Sequence, residues 1–326
     1  MKDAQTSPPW RAGAPAVHSL NRFVFTVPDV GVAAKFYSDF GLDARRTGSR
    51  VDLYTHGFDH RWGTIHEKPG AKRLQYVSFG AFPDDYERIV ERLKTQGIKT
   101  TAPHPLADEE GTWFVDPEGT PVQLVVSRKV TPVEKAGAKA SVPPAPGAGA
   151  APSRSNAGMV KPRRLSHILL FTSDVMRSVR FYSDALGLRL SDHSGGIIAF
   201  LHGAHASDHH LIAFAKSDGP GLHHSSWDVA TFDDVGLGMQ QMIDRGHTDG
   251  WGVGRHVLGS NYFRYVRDPW GSFAEYSYDI DFIPATLDWQ AKDHPPEDSF
   301  YVWGPPVPEN FIVNHESPAQ RSGAVP

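Results

Sequence analysis

Residues 20–42, LNRFVFTVPDVGVAAKFYSDFGL, match residues 165–188, LSHILLFTSDVMRSVRFYSDALGL. Each copy is an apolar strand, an aspartate able to open a helix, the tetrapeptide FYSD and a glycine stop. The match resumes with RLQYVSFGAFPDDYERIVERLKTQG at 73–97 against GLHHSSWDVATFDDVGLGMQQMIDRG at 221–246, and with FVDPEGTPVQL against YVRDPWGSFAEY. An internal duplication of this length forces the same supersecondary unit to be built twice. A finer echo lies inside each half: a strand, an amphipathic helix, then three short strands, occurring twice. The expectation is an α+β chain of four βαβββ modules in two pairs.

Residues 130–160 are almost all Ala, Pro, Gly, Ser and charge, which reads as a linker. The expected organisation is an extension (1–17), a first folded region (18–129), the linker (130–163), a second folded region (164–282) and a Pro-rich tail (283–326). In the last module, Val235, Met239 and Met242 share a helix face that Asp233 or Asp234 can cap. The expected strands after it are HVLG, NYFRYVRD and SFAEYSYD, with the DPWG turn at 268–271 before the last.

Composition narrows the chemistry. A formal net charge of −4 without a dense Lys/Arg run gives no basic face for a nucleic acid. No stretch approaches the roughly 20 apolar residues of a spanning helix, and residues 1–20 lack the apolar core of a signal peptide. The expectation is a cytoplasmic protein without a membrane partner. Cysteine is absent, so any metal must be held by His, Asp or Glu.

Aligning the repeats sets His167 opposite Arg22, His224 opposite Tyr76, and Glu275 opposite Gln123. At all three positions only the second half carries a metal-competent side chain. Two imidazoles and a carboxylate on separate strands form a facial triad, with coordination positions left open. This donor set suits Fe(II), with Mn(II) as the alternative. Glu275 lies in the apolar run SFAEY, where a buried carboxylate needs a cation partner.

These residues resemble the type I extradiol ring-cleavage dioxygenases of the vicinal oxygen chelate superfamily, over roughly residues 18–282. The resemblance implies two domains, each of two modules curled into an open barrel, with the first domain inactive and the second catalytic. It identifies His167, His224 and Glu275 as iron ligands. The run FLHGAHASDHHLIAF at 200–214 resembles the family segment that supplies an acid/base histidine, placed at His210, with Phe200 lining the ring pocket and His202 beside it. In RHVLGSNYFRYVRDPWGSFAEY, His256 precedes Tyr265 by nine residues and Tyr265 precedes Glu275 by ten, the family's double spacing. His256 and Tyr265 would then hold the substrate oxygens.

The implied reaction is cleavage of a catechol by dioxygen at the bond next to the diol, giving a 2-hydroxymuconic semialdehyde-type product, in a homo-oligomer. Strand alternation turns His209 and His223 away from the site if His210 and His224 face it, leaving them structural or solvent-facing. Three other readings share the scaffold: a glyoxalase-like isomerase with four protein ligands, a 4-hydroxyphenylpyruvate dioxygenase-like enzyme, and a ligand-sequestering protein without metal.

Overall fold

In the computed structural model, residues 10–137 and 145–317 are described. The first half runs β1 (Ser19–Val27), α1 (Val30–Asp39), β2 (Asp43–Thr47), β3 (Arg50–Thr55), β4 (Phe58–Glu67), β5 (Arg73–Ala81), α2 (Pro83–Thr95), β6 (Thr112–Val115) and β7 (Pro121–Val126). The second runs β8 (Arg164–Thr172), α3 (Val175–Leu186), β9 (Arg189–Ser194), β10 (Ile198–His202), β11 (Ser207–Asp208), β12 (Ile212–Lys216), β13 (Gly221–Asp228), α4 (Phe232–Asp244), β14 (Gly250–His256), β15 (Tyr262–Arg267) and β16 (Phe273–Tyr278). The tail adds β17 (Phe282–Ile283), β18 (Lys292–Asp293) and β19 (Tyr301–Trp303). The class is α+β, as expected. Module two carries only β6 and β7 after its helix, with a single bridge, Thr101 to Trp113, in place of the third strand.

Two large sheets carry the duplication. The first has the order β2-β3-β4-β1-β5-β7-β6 and the second β18-β9-β10-β12-β8-β13-β16-β15-β14-β19. Their registers coincide: Arg22, Ser78 and Gln123 lie opposite one another across β1, β5 and β7, as His167, Ser226 and Glu275 do across β8, β13 and β16. The repeat in the sequence is therefore a repeat of side-chain placement.

Local signals set the helices. Asp29 accepts from the amides of Gly31 and Val32 to open α1, and Asp174 from that of Arg177 to open α3. Gly187 ends α3 at φ 74°, a conformation that costs glycine little. The start of α4 differs from expectation. Thr231 is the cap, and Asp234 reaches back to the Thr231 amide to complete a capping box. At Gly238 a Cβ would stand 2.7 Å from the Tyr276 ring, so its absence lets α4 lie directly on β16, the strand of Glu275.

One cluster of buried apolar side chains runs through both halves. Phe40 stacks on Tyr276 with ring centroids 3.9 Å apart, Trp227 meets Phe23, and Lys72 forms a buried ion pair with Asp268. The expected linker is also packed at both ends, because its few apolar and hydroxyl residues find partners. Val130, Thr131 and Val160 are buried, and Thr131 donates to the His18 carbonyl. Residues 138–144 lie outside the described residues. Among the described residues no helix is long and apolar enough to cross a membrane.

Candidate metal centre and its cavity

The central strands β8, β13, β16 and β15 are neighbours, which is what gathers the candidate residues. Ser226 faces both His167 and Glu275, Tyr265 faces Glu275, and His224 lies two residues before Ser226 and so on its side of β13. Nitrogens of His167 and His224 and an oxygen of Glu275 all lie within 4.8 Å of one another, and the three residues are buried. Glu275 Oε2 stands 3.4 Å from His167 Nε2 and 3.6 Å from His224 Nε2.

Two of these atoms, His224 Nε2 and Glu275 Oε2, are buried without a hydrogen-bond partner. A fully buried carboxylate oxygen and an imidazole lone pair left bare at the same point cost several kcal/mol unless a cation meets them. The set fits a divalent ion. Burial alone would push the Glu275 carboxyl up, but His167 and His256 hold it below the usual carboxylate range. Burial and neighbouring imidazoles keep His210 and His224 far below the usual histidine range, in the neutral form that a ligand requires.

Hydrogen-bond partners set the ring tautomers, since a carbonyl or carboxylate only accepts. His223 Nε2–H donates to the Phe311 carbonyl (2.7 Å), so its Nδ1 accepts from His224 Nδ1–H (2.7 Å). That leaves the His224 Nε2 lone pair aimed at Glu275. His209 Nε2–H donates to Asp192 (3.0 Å), and its Nδ1 accepts from His210 Nδ1–H (3.0 Å). His256 Nδ1–H donates to the Phe300 carbonyl (2.9 Å), so its Nε2 accepts from the Tyr265 hydroxyl (2.9 Å).

His223 corrects an expectation. The β13–β8 register slips between Leu222 and His224, so His223 sits in a bulge where alternation fails. It lines the same cavity as His224 instead of facing away. His209 does not line the cavity, and it is buried against Asp192 and Trp289 instead of facing solvent.

The cavity has a volume of about 310 Å³. His167, His210, His224, His256, Tyr265 and Phe200 all line it. His202 does not; its Nδ1 pairs with the Ser191 hydroxyl at 2.8 Å, and the residue is buried. Three positions at the site escaped the sequence reading. Asn261 donates to Glu275 Oε1 (3.1 Å) and to Ser277 (3.0 Å), fixing the carboxylate, while Phe300 and Phe311 of the tail wall the cavity. GSN before β15 reads only as a turn, and the tail's aromatics carry no periodicity that places them. The expected strand HVLG is instead the end of β14 and a turn through Gly259 and Ser260, both at positive φ.

The chain is similar to known proteins in both sequence and fold. A family model described as the Glyoxalase/Bleomycin resistance protein/Dioxygenase superfamily matches residues 19–124 and 164–276. Metapyrocatechase 2 of Cupriavidus necator is 48% identical over 303 residues, 93% of each chain. Biphenyl-2,3-diol 1,2-dioxygenase of Metapseudomonas furukawaii is 26% identical over 307 residues, 89% of this chain and 93% of that one. In fold, the Mn(II)-bound glyoxalase from Novosphingobium aromaticivorans superimposes with a TM-score of 0.73 at 22% identity, covering 93% of this chain and 96% of its own.

Proposed function

The chain belongs to the Glyoxalase/Bleomycin resistance protein/Dioxygenase superfamily, and on that footing we propose that it is an extradiol dioxygenase that opens a catechol ring at the bond beside the diol. The observation that carries the site assignment is the pair of orphaned buried atoms, His224 Nε2 and Glu275 Oε2, converging with His167. These three residues would hold Fe(II), with Mn(II) as the alternative set by the same donors. Once bound, the ion supplies open positions for a catechol diol and dioxygen and couples them electronically.

The protein's own residues do the rest. Tyr265 and His256, paired at 2.9 Å on the cavity wall, would exchange that bond for bonds to the substrate oxygens: the phenol then donates to one, and His256 Nε2 accepts a hydrogen bond from the hydroxyl of the other. His210 turns Nδ1 to His209, so its Nε2 is the edge free to move a proton in the cavity during O–O cleavage. Phe200, packed 4.8 Å from the His210 ring, and the tail's Phe300 and Phe311 exclude water. A glyoxalase-like isomerase needs a fourth ligand. Among the described residues the cluster holds three.

The test is anaerobic loading with Fe(II), then mixing with catechol and air-saturated buffer. The expected result is a yellow ring-opened product with equimolar oxygen uptake. Bound iron with no product from any catechol sinks the proposal.

A further inference from the structure

Both halves carry a bulge at the same place, and one side chain of the tail spans the two. Across β1 and β5, Tyr76 is level with Val24 and Leu74 with Phe25, which leaves Gln75 as the extra residue. Across β8 and β13, His224 is level with Leu169 and Leu222 with Leu170, which leaves His223. The residue before each bulge gives its amide to the same acceptor. Leu74 N–H donates to Glu316 Oε2 (2.6 Å) and Leu222 N–H to Glu316 Oε1 (3.0 Å).

Glu316 is buried, and its neighbours hold it in place. Asn314 donates to the carbonyls of Gly219 and Pro220 just before β13, and a Cβ at Gly221 would collide with Asn314 Oδ1. From the first half, Arg73 donates to the Glu316 carbonyl. A buried carboxylate is tolerated only where its oxygens find donors. Here each oxygen is given to a strand of a different half.

The β13 bulge matters for what His223 does in it. Its Nδ1 accepts from His224 Nδ1–H (2.7 Å), which leaves the His224 Nε2 lone pair beside Glu275, while the tail's Phe311 carbonyl takes its other nitrogen. In a regular strand the residue after Leu222 would point to the face opposite His224, and that contact would be lost.

We propose that Glu316 is a positioning residue of the metal centre: its carboxylate, shared between the Leu74 and Leu222 amides, locks the bulge that seats His223 on His224. This rests on the reading of His167, His224 and Glu275 as the metal site. Without the carboxylate two buried amides lose their acceptor, a cost that β13 relieves by sliding back into register with β8. The tail is then a working part of the metal site.

The experiment measures the affinity of the full-length, metal-stripped protein for Fe(II) and for Mn(II), by anaerobic competition with a chelator. Glu316→Ala should raise the dissociation constant about tenfold, the worth of a partner that orients a ligand. Glu316→Gln, which keeps one acceptor oxygen, should raise it by less. In a His223→Leu background, Glu316→Ala should change affinity by no more than about twofold, because the path from Glu316 to the metal runs through His223. A merely structural role would act alike in both backgrounds. Unchanged affinity in Glu316→Ala, or an equal loss in both backgrounds, overturns the proposal. Should Glu316→Ala fold poorly, Glu316→Gln carries the same comparison: a loss that vanishes beside His223→Leu supports the proposal, and any other pattern overturns it. A parent protein that holds neither ion defeats the metal-site reading itself, whereas a parent that binds metal no more tightly than its Glu316 variants defeats only the present inference.

Discussion

The two halves share strand register and turns, yet one is filled where the other is open. In the first half Arg22 stands in the place of His167, Tyr76 in that of His224 and Gln123 in that of Glu275. Counting along the paired strands, Arg61 stands in the place of His210. Arg22 and Arg61 pair with Asp108 and Glu109, while Tyr76 packs edge-on against Trp113, the counterpart of Tyr265. The first half thus carries its cation covalently, as guanidinium. The second presents bare lone pairs and must acquire one, so the difference between the halves lies in a handful of side chains.

The sharpest way to break the contrast is Glu275→Gln, which gives the second half the first half's residue. Gln123 occupies that register in a well-packed sheet, so the fold is expected to survive. Bound metal, measured by elemental analysis, and ring cleavage should both fall to background. Full activity in this variant would refute the triad.

His210→Phe asks a narrower question, because His210 faces the triad without joining it. Metal content should stay near that of the parent, while kcat falls about 10²- to 10⁴-fold, the usual worth of a positioned acid or base. Loss of metal instead would make His210 a ligand.

The bulge gives a third handle. Its first-half counterpart is Gln75, which bonds the Thr26 hydroxyl, whereas His223 bonds His224. His223→Leu removes the acceptor that sets the His224 tautomer, and metal affinity by chelator competition should drop about 10- to 100-fold. His223→Gln, which retains a carbonyl acceptor, should recover part of that loss. Equal affinity in all three proteins would show that the contact is idle.

Much of this was legible because duplication converts sequence alignment into register: His167, His224 and Glu275 could be read against Arg22, Tyr76 and Gln123 without coordinates. The helix starts at Asp29 and Asp174 were equally visible, since a cap is a local contact. What escaped were features decided across the fold. Alternation turned His223 outward, but a bulge depends on the partner strand and leaves no residue signature here. His202 follows Phe200 in the same motif, yet Ser191 on the neighbouring strand draws it out of the cavity. Phe300, Phe311 and Asn261 reach the site from irregular segments, whose placement no periodicity encodes.

The smallest effect concerns the matching DPxG turns, where each half hands an aspartate to the other. Asp268 accepts from Lys72, while Asp116 accepts from the Tyr182 hydroxyl at 3.0 Å and has no cation beside it. Burial therefore outweighs its hydrogen bonds from Thr120, Tyr182 and Glu118 and pushes the Asp116 carboxyl up to about 6. Between the ordinary carboxylate range and about 6, the folded chain keeps this proton and the unfolded chain does not. The group's contribution is thus complete at low pH and is lost as pH rises towards 6. Asp116→Asn keeps the shape and removes the titration. The stability difference between parent and variant, from urea unfolding at pH 4.5 and 7, should move against the parent by on the order of 2 kcal/mol as pH rises. A difference that does not change with pH would mean that Asp116 stays charged in the fold, and that the two turns are electrostatically alike after all.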